Sequence, residues 1–178
     1  MRLFIAIDFK NHESYFKELQ EQIPTDTATI KIVNTFHLTL KFLGDVFEEK
    51  VEAVKQALSK VEFKPFELET KEIGVFPSPA YIKVVWVGFK ENKTILDLQK
   101  QIEKVLEDFH FRKDFEFAPH LTLARVKFVK DKDKFVEALE KIKVKPVKEP
   151  VSEFKLIKSE LTEEGPIYEN LEEFPHQD

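Results

Sequence analysis

The 178 residues contain no cysteine, one methionine, one tryptophan and four glycines. Without cysteine there can be no disulfides, thiol nucleophiles or cysteine-ligated zinc, and an oxidising compartment is unnecessary. The glycines, Gly44, Gly74, Gly88 and Gly165, are too scattered for a phosphate-cradling loop, which argues against nucleotide-driven chemistry of the P-loop type. No His-Glu-x-x-His and no clustered set of carboxylates marks a metal site, so a chemistry without metal or cofactor is expected. No apolar run approaches the roughly 20 residues that span a bilayer, and Met1 to Phe9 alternates like a strand rather than reading as a leader. The expectation is a cytoplasmic protein with no membrane association. Positive charge is also short: 28 Lys and Arg stand against 33 Asp and Glu, a net charge of −5. That balance argues against broad, sequence-independent binding of long nucleic acid, although a small cleft holding one anionic chain end needs only a few cations.

What is present is a duplicated element. His37-Leu38-Thr39-Leu40 recurs unchanged as His120-Leu121-Thr122-Leu123, 83 positions later (120 − 37). Both copies lie in apolar stretches, Phe36 to Leu43 and Ala118 to Val126, that read as strands. Alternation sends each His and Thr to one face and each pair of leucines to the other, so the leucines can enter a core while His and Thr line a groove. An imidazole near its ordinary pKa exchanges protons at neutral pH, and a neighbouring hydroxyl can hydrogen-bond an anionic oxygen. A single His-x-Thr-x on a polar strand face is ordinary. Two copies in register suggest a paired acid and base.

The repeat extends beyond the tetrapeptide. After each copy come a helical pattern, Lys-Pro and another strand pattern: Glu48 to Val61, Lys64-Pro65 and Phe66 to Phe76 after the first, then Asp131 to Ile142, Lys145-Pro146 and Val151 to Leu161 after the second. A period of this length is too long for a solenoid and predicts duplicated lobes. Elsewhere the pattern predicts strands over Arg2 to Phe9, Ile30 to Val33, Tyr81 to Phe89 and Tyr168 to Phe174. Helices are predicted from an Asn11 cap to Ile23 and from an Asn92 cap to about Phe109, with a hairpin turn at Pro77-Ser78-Pro79. With 42% hydrophobic residues and no low-complexity linker, residues 1–178 are expected to form one bilobal domain.

These segments resemble the archaeal and bacterial RNA 2′,3′-cyclic phosphodiesterases, historically called 2′-5′ RNA ligases, of the two-histidine phosphoesterase superfamily. The resemblance runs along the chain through Arg2 to Ile7, His37 to Gly44, Gly74-Val75-Phe76-Pro77, Trp86-Val87-Gly88, Pro119 to Arg125 and Gly165 to Glu169. It implies an α+β fold of two similar lobes, antiparallel sheets with outer helices related by a pseudo-two-fold, each presenting one His-x-Thr-x strand to a central cleft. It further implies hydrolysis of RNA 2′,3′-cyclic phosphate ends to 2′-phosphates, with His37 as proton donor, His120 as proton acceptor, and Thr39 and Thr122 on the phosphate. The implied partners are RNA ends, such as tRNA halves, bound by a monomer. The same pair run backwards would join such an end to a 5′-hydroxyl.

Strand parity adds Lys41 to the histidine side, beside a bound phosphate. Arg125 is harder to assign: strict alternation puts it with the leucines, whereas the family motif carries an arginine there as part of the site, and a bulge after Leu123 would reconcile the two. Parity sends Phe42 to the core, and Phe76, at a strand end, is a candidate for stacking a base. His12, His110 and His176 lack motif context and are read as surface residues. Two other functions stay open: a non-catalytic binder of RNA ends, and a phosphodiesterase for a small cyclic nucleotide or ADP-ribose cyclic phosphate.

Overall fold

The computed structural model describes residues 1–113 and 116–178. Its elements run β1 (Arg2–Asp8), α1 (Glu13–Glu21), β2 (Ala28–Ile32), β3 (His37–Asp45), α2 (Glu48–Leu58), β4 (Phe66–Ser78) and β5 (Tyr81–Phe89). There follow α3 (Lys93–Val105), β6 (His120–Val129), α4 (Lys132–Glu140), β7 (Lys148–Val151), β8 (Glu153–Thr162) and β9 (Gly165–Pro175). Two antiparallel sheets result, with strand orders β3-β1-β8-β9 and β2-β6-β5-β4-β7. This is the two-lobed α+β architecture expected.

The pairing shows how the repeat is used. The first half, β1-α1-β2-β3-α2-β4, places β1 and β3 in the first sheet but sends β4 into the second. The second half, β5-α3-β6-α4-β7-β8, places β5 and β6 in the second sheet and returns β8 to the first. Each half therefore supplies a central strand of the other half's sheet. The segment Val151 to Leu161, expected as one strand, divides for this reason: β7 pairs with β4 in the second sheet, and after Ser152 the chain enters the first sheet as β8. The predicted last strand is longer than expected and forms a hairpin with β8.

Apolar faces drive the assembly. Leu38, Leu121 and Leu123 are 0% exposed and Leu40 is 1% exposed. Full burial of such a side chain stabilises by about 1.5–3 kcal/mol. They join one core continuous through both lobes, which also takes Phe16 and Leu19 from α1, Val54 and Leu58 from α2, Leu98 and Ile102 from α3, and Phe135 and Leu139 from α4. The Asn92 side chain caps α3 by accepting from Ile95 N at 3.1 Å. Asn11 does not cap α1. Its side-chain Nδ2 donates to Glu149 Oε1 at 3.2 Å, His12 Nδ1 lies 2.6 Å from Glu149 Oε2, and His12 occupies the cap position without a capping bond. A carboxylate from β7 thus holds the two residues that lead into the helix, Asn11 through its backbone N–H as well.

Both motif strands carry a bulge at the same place. In β3, Thr39 pairs with Ala6 and Lys41 with Ile5, leaving Leu40 without a partner; in β6, Thr122 pairs with Trp86 and Ala124 with Val85, leaving Leu123 out. The extra residue reverses the facing of everything after it. Lys41 is thereby moved off the histidine side, contrary to parity. It is 1% exposed, with Nζ 2.7 Å from Glu103 Oε1 on α3 and 2.9 Å from the Arg112 carbonyl. Its expected place beside a phosphate is corrected: it is an internal cation held by a carboxylate.

Removing one member of a buried pair strands the other charge, whereas replacing both with apolar groups does not. Glu103→Ala is therefore expected to lower unfolding free energy by about 2–4 kcal/mol, with most of the loss recovered in Lys41→Met/Glu103→Leu. Urea unfolding of the parent, Glu103→Ala and the double variant decides it, and a double variant no more stable than Glu103→Ala would refute the pairing.

Candidate active site

His37 and His120 open β3 and β6, which run against each other between the two sheets. Each is half-buried, as are Thr39 and Thr122 two residues on, while the intervening Leu38 and Leu121 are buried. The polar members of both motifs therefore lie on the face away from the core. The bulge at Leu123 brings Arg125 to this face as well: Ala124 is fully buried behind it and Arg125 is exposed. The bulge at Leu40 does the same for Phe42, which is 63% exposed and lies 6.2 Å from Phe4 between ring centroids. Phe42 was expected in the core. It occupies the position in the first motif that Arg125 occupies in the second, and matching the two six-residue segments His37–Phe42 and His120–Arg125 would have linked their fates.

The two histidines sit in unlike surroundings on equivalent strands. Asp8 of β1 pairs opposite His37, whereas Gly88 of β5 pairs opposite His120. Asp8 Oδ1 lies 3.0 Å from His37 Nε2, a short contact but poorly directed for a hydrogen bond, and Asp8 Oδ2 lies 3.0 Å from Lys155 Nζ. Burial alone would raise the Asp8 carboxyl; contact with His37 and Lys155, and the charge they bring, outweighs it and holds the pKa at about 2. Lys155, 6% exposed, is also 3.1 Å from Glu173 and 3.4 Å from Glu153. Desolvation would lower its pKa, yet Asp8 and Glu173 drive it upward. Phe4 and Tyr168 complete the setting, their ring centroids 5.7 and 5.0 Å from that of His37.

On the other strand the neighbours are aromatic. Phe76 meets the His120 ring edge to face at 4.7 Å between centroids, and Trp86 lies at 6.2 Å. Phe76, noted as a base-stacking candidate, thus stands at the second histidine, with its ring also 5.0 Å from Trp86. The indole spreads over two glycines: a Cβ at Gly74 would lie 2.1 Å from Trp86 Cζ2, and one at Gly88 would lie 2.7 Å from Cζ3. Those glycines are required by the close approach of the indole rather than by turns. Burial pushes the His120 pKa below its ordinary 6.5, opposed in part by a hydrogen bond with the Ala118 carbonyl. The ring Nδ1 lies 2.7 Å from that carbonyl. Nδ1 therefore carries the proton, and the neutral ring leaves Nε2 with a free lone pair. Nothing in the residues around the second motif, read singly, signals this; the cue lies in Trp86 flanked at a distance by Gly74 and Gly88.

One lobe thus offers an imidazole backed by a carboxylate, the other a neutral imidazole in an apolar wall, with two hydroxyls and a guanidinium on the same side. Such a constellation suits in-line displacement at phosphorus, where one group takes a proton from the entering oxygen and another supplies one to the leaving oxygen. Among the described residues, no group of three or more His, Asp or Glu is arranged to hold a metal ion, and no helix is long and apolar enough to cross a membrane.

Comparison with known proteins agrees. A family model described as LigT like phosphoesterase matches the chain twice, over residues 9–86 and 87–168, one match for each half of the repeat. The chain is 37% identical over 176 residues to an RNA 2′,3′-cyclic phosphodiesterase of Methanocaldococcus jannaschii, covering 98% of this chain and 100% of that one. It is 35% identical over 182 residues to the protein of the same name from Methanothermobacter thermautotrophicus, covering 98% of each. A crystal structure of a protein from Thermus thermophilus superposes with a TM-score of 0.78 at 29% identity, over 98% of this chain and 97% of that one. Escherichia coli LigT, crystallised with 3′-AMP, shares the fold at a TM-score of 0.72 and 24% identity, over 99% and 98% of the two chains. The chain belongs to the LigT-like phosphoesterase family.

Because the folded-state pKa of Asp8 lies below the ordinary 3.8, its ion pairs contribute stability that is complete above about pH 4 and lost as pH falls toward 2. The contribution is on the order of 2 kcal/mol. Asp8→Asn is accordingly expected to be less stable than the parent at pH 6, with the gap closing by pH 2. A pH-independent gap in denaturant titrations would contradict the assignment.

Proposed function

We propose that this protein hydrolyses RNA ends bearing a 2′,3′-cyclic phosphate to 2′-phosphates by metal-free acid and base catalysis, within one domain formed by both lobes. The unequal settings of the twin histidines carry this reading. His120, kept neutral by its aromatic surroundings and held through Nδ1, accepts the proton of the attacking water at Nε2. Water oxygen bonds to phosphorus as the bond to the 3′-oxygen breaks, and His37, with Asp8 behind it, delivers the proton that makes the 3′-hydroxyl. Thr39, Thr122 and Arg125 hold the non-bridging oxygens, where charge concentrates in the transition state. The exposed ring of Phe42 offers the terminal base a stacking surface near His37, and Phe76 lines the opposite wall.

The names of the relatives support the choice of RNA over other diesters. Ligation of the same end would follow the same displacement with a 5′-hydroxyl in place of water as the entering group: the bond from its oxygen to phosphorus forms as the bond to the 3′-oxygen breaks, driven by relief of the strained ring. The working form is a cytoplasmic monomer acting on cleaved RNAs such as tRNA halves.

The test is incubation of EDTA-treated protein with an oligoribonucleotide ending in a 2′,3′-cyclic phosphate. A 2′-phosphate product is expected, and His120→Ala is expected to lose about 10²- to 10⁴-fold in kcat. A 3′-phosphate product, or less than about a tenfold loss, would overturn the assignment. The pH profile should be bell-shaped, and its acid limb, set by His120, should fall below pH 6.5.

A further inference from the structure

The outer face of the second sheet carries a strip of cations and aromatic rings that continues from the histidine side toward the far ends of β5 and β6. Lys31 of β2 pairs opposite Arg125, and Arg125 opposite Val84 of β5, so all three share the face reached by the bulge at Leu123. Two further irregularities extend it. In β6, Val126 pairs with Ile30 and Phe128 with Thr29, leaving Lys127 unpaired; Val126 is buried while Lys127 and Phe128 are exposed, Phe128 at 65%. In β5, Val84 pairs with Phe76 and Ile82 with Pro77, leaving Lys83 unpaired; Ile82 is buried, and Lys83 turns outward with Nζ 4.7 Å above the centre of the Tyr81 ring, itself 61% exposed.

The two lobes differ in charge. On the first sheet the lysines are neutralised: Lys155 by Asp8, Glu153 and Glu173, and Lys158 by Glu169 and Glu160. On the second, Lys31, Lys83, Arg125 and Lys127 have no carboxylate partner in any ion pair among the described residues. Glu163 and Glu164, in the β8–β9 turn next to Gly165, bound the strip where that turn comes near Lys31 Nζ. A polyanion leaving the site therefore meets carboxylates in one direction and available cations in the other, although the chain as a whole carries −5.

We infer that Lys31, Lys83, Lys127, Phe128 and Tyr81 form a track for the single-stranded RNA that precedes the cyclised end, running from Arg125 outward over the second sheet. Cations spaced along a face with rings between them match the alternation of phosphates and bases in an unpaired strand, and stacking on Phe128 and Tyr81 needs no particular base. The acidic composition then has a function: binding is confined to one short strip, so that an RNA end is engaged and duplex flanks are not. The inference rests on the RNA-end reading and adds a second, separable contact region.

The experiment uses two substrates, a cyclic 2′,3′-mononucleotide and an octaribonucleotide with the same terminus, and the variants Lys83→Glu/Lys127→Glu and Phe128→Ala. For the octamer, kcat/KM is expected to fall by about tenfold or more in each variant, consistent with the loss of phosphate contacts or of one stacked base. For the mononucleotide it should stay within about twofold, since the residues that hold the terminal phosphate are untouched. The parent's preference for the octamer should also shrink with added salt more steeply than that of the charge-reversed variant. Fluorescence anisotropy with an octamer ending in a 3′-phosphate reads the track without turnover. Equal losses on both substrates, octamer binding unchanged by both variants, or a dimer that these variants dissolve would overturn the track. Failure of the parent to hydrolyse either substrate would count against the RNA-end reading alone, and anisotropy would still decide the track.

Discussion

Neither sheet can be completed from its own half of the chain. β4 is made by the first half and lies between β5 and β7 of the second sheet, while β8 is made by the second half and lies between β1 and β9 of the first. Both strands are bonded on both edges and contribute buried residues to the common core, so withdrawing either would expose two rows of backbone groups as well as part of that core. The two motif strands are thereby held in one relation to each other by covalent connection and hydrogen bonding together. A reaction that needs an acid and a base on opposite sides of one phosphorus atom depends on that relation more than on any single contact.

Within this frame, duplication supplies sameness and substitution supplies difference. Thr39 faces Ala6 as Thr122 faces Trp86, and His37 faces Asp8 as His120 faces Gly88. One pair of changes put a carboxylate beside the first imidazole; the other cleared room for an indole beside the second. The same tetrapeptide is given unlike electrostatic surroundings by neighbours on the adjacent strand, where the cost of burying charge is met in one lobe by ion pairs and avoided in the other by neutrality.

Most of the architecture could be read from the repeat, because long apolar periodicities and the twin motifs carry their own signals. The inward leucines, the α3 cap at Asn92 and the two-lobed plan all follow from local pattern. Parity puts Lys41 and Phe42 on the wrong faces, because alternation holds only while the ladder is regular and an extra residue leaves no compositional trace. Arg125 was conditional on the matching irregularity in β6. The division at Ser152 was hidden for another reason: a strand that changes sheets keeps its hydrophobic pattern on both sides of the change. Asp8 was silent because a single acidic residue ending a strand gives no hint of what lies across the ladder from it.

The bulged fourth position of each motif has a consequence for what these strands can present. Upstream of it, the outward sites hold the histidine and threonine of each motif. Downstream, the inverted facing turns positions 42 and 125 outward while positions 41 and 124 are shut inside. Two sites on the histidine side, one in each lobe, are thus released from the core. Phenylalanine at one and arginine at the other show what this allows: one backbone irregularity presents a ring in the first lobe and a charge in the second, over the same buried leucines.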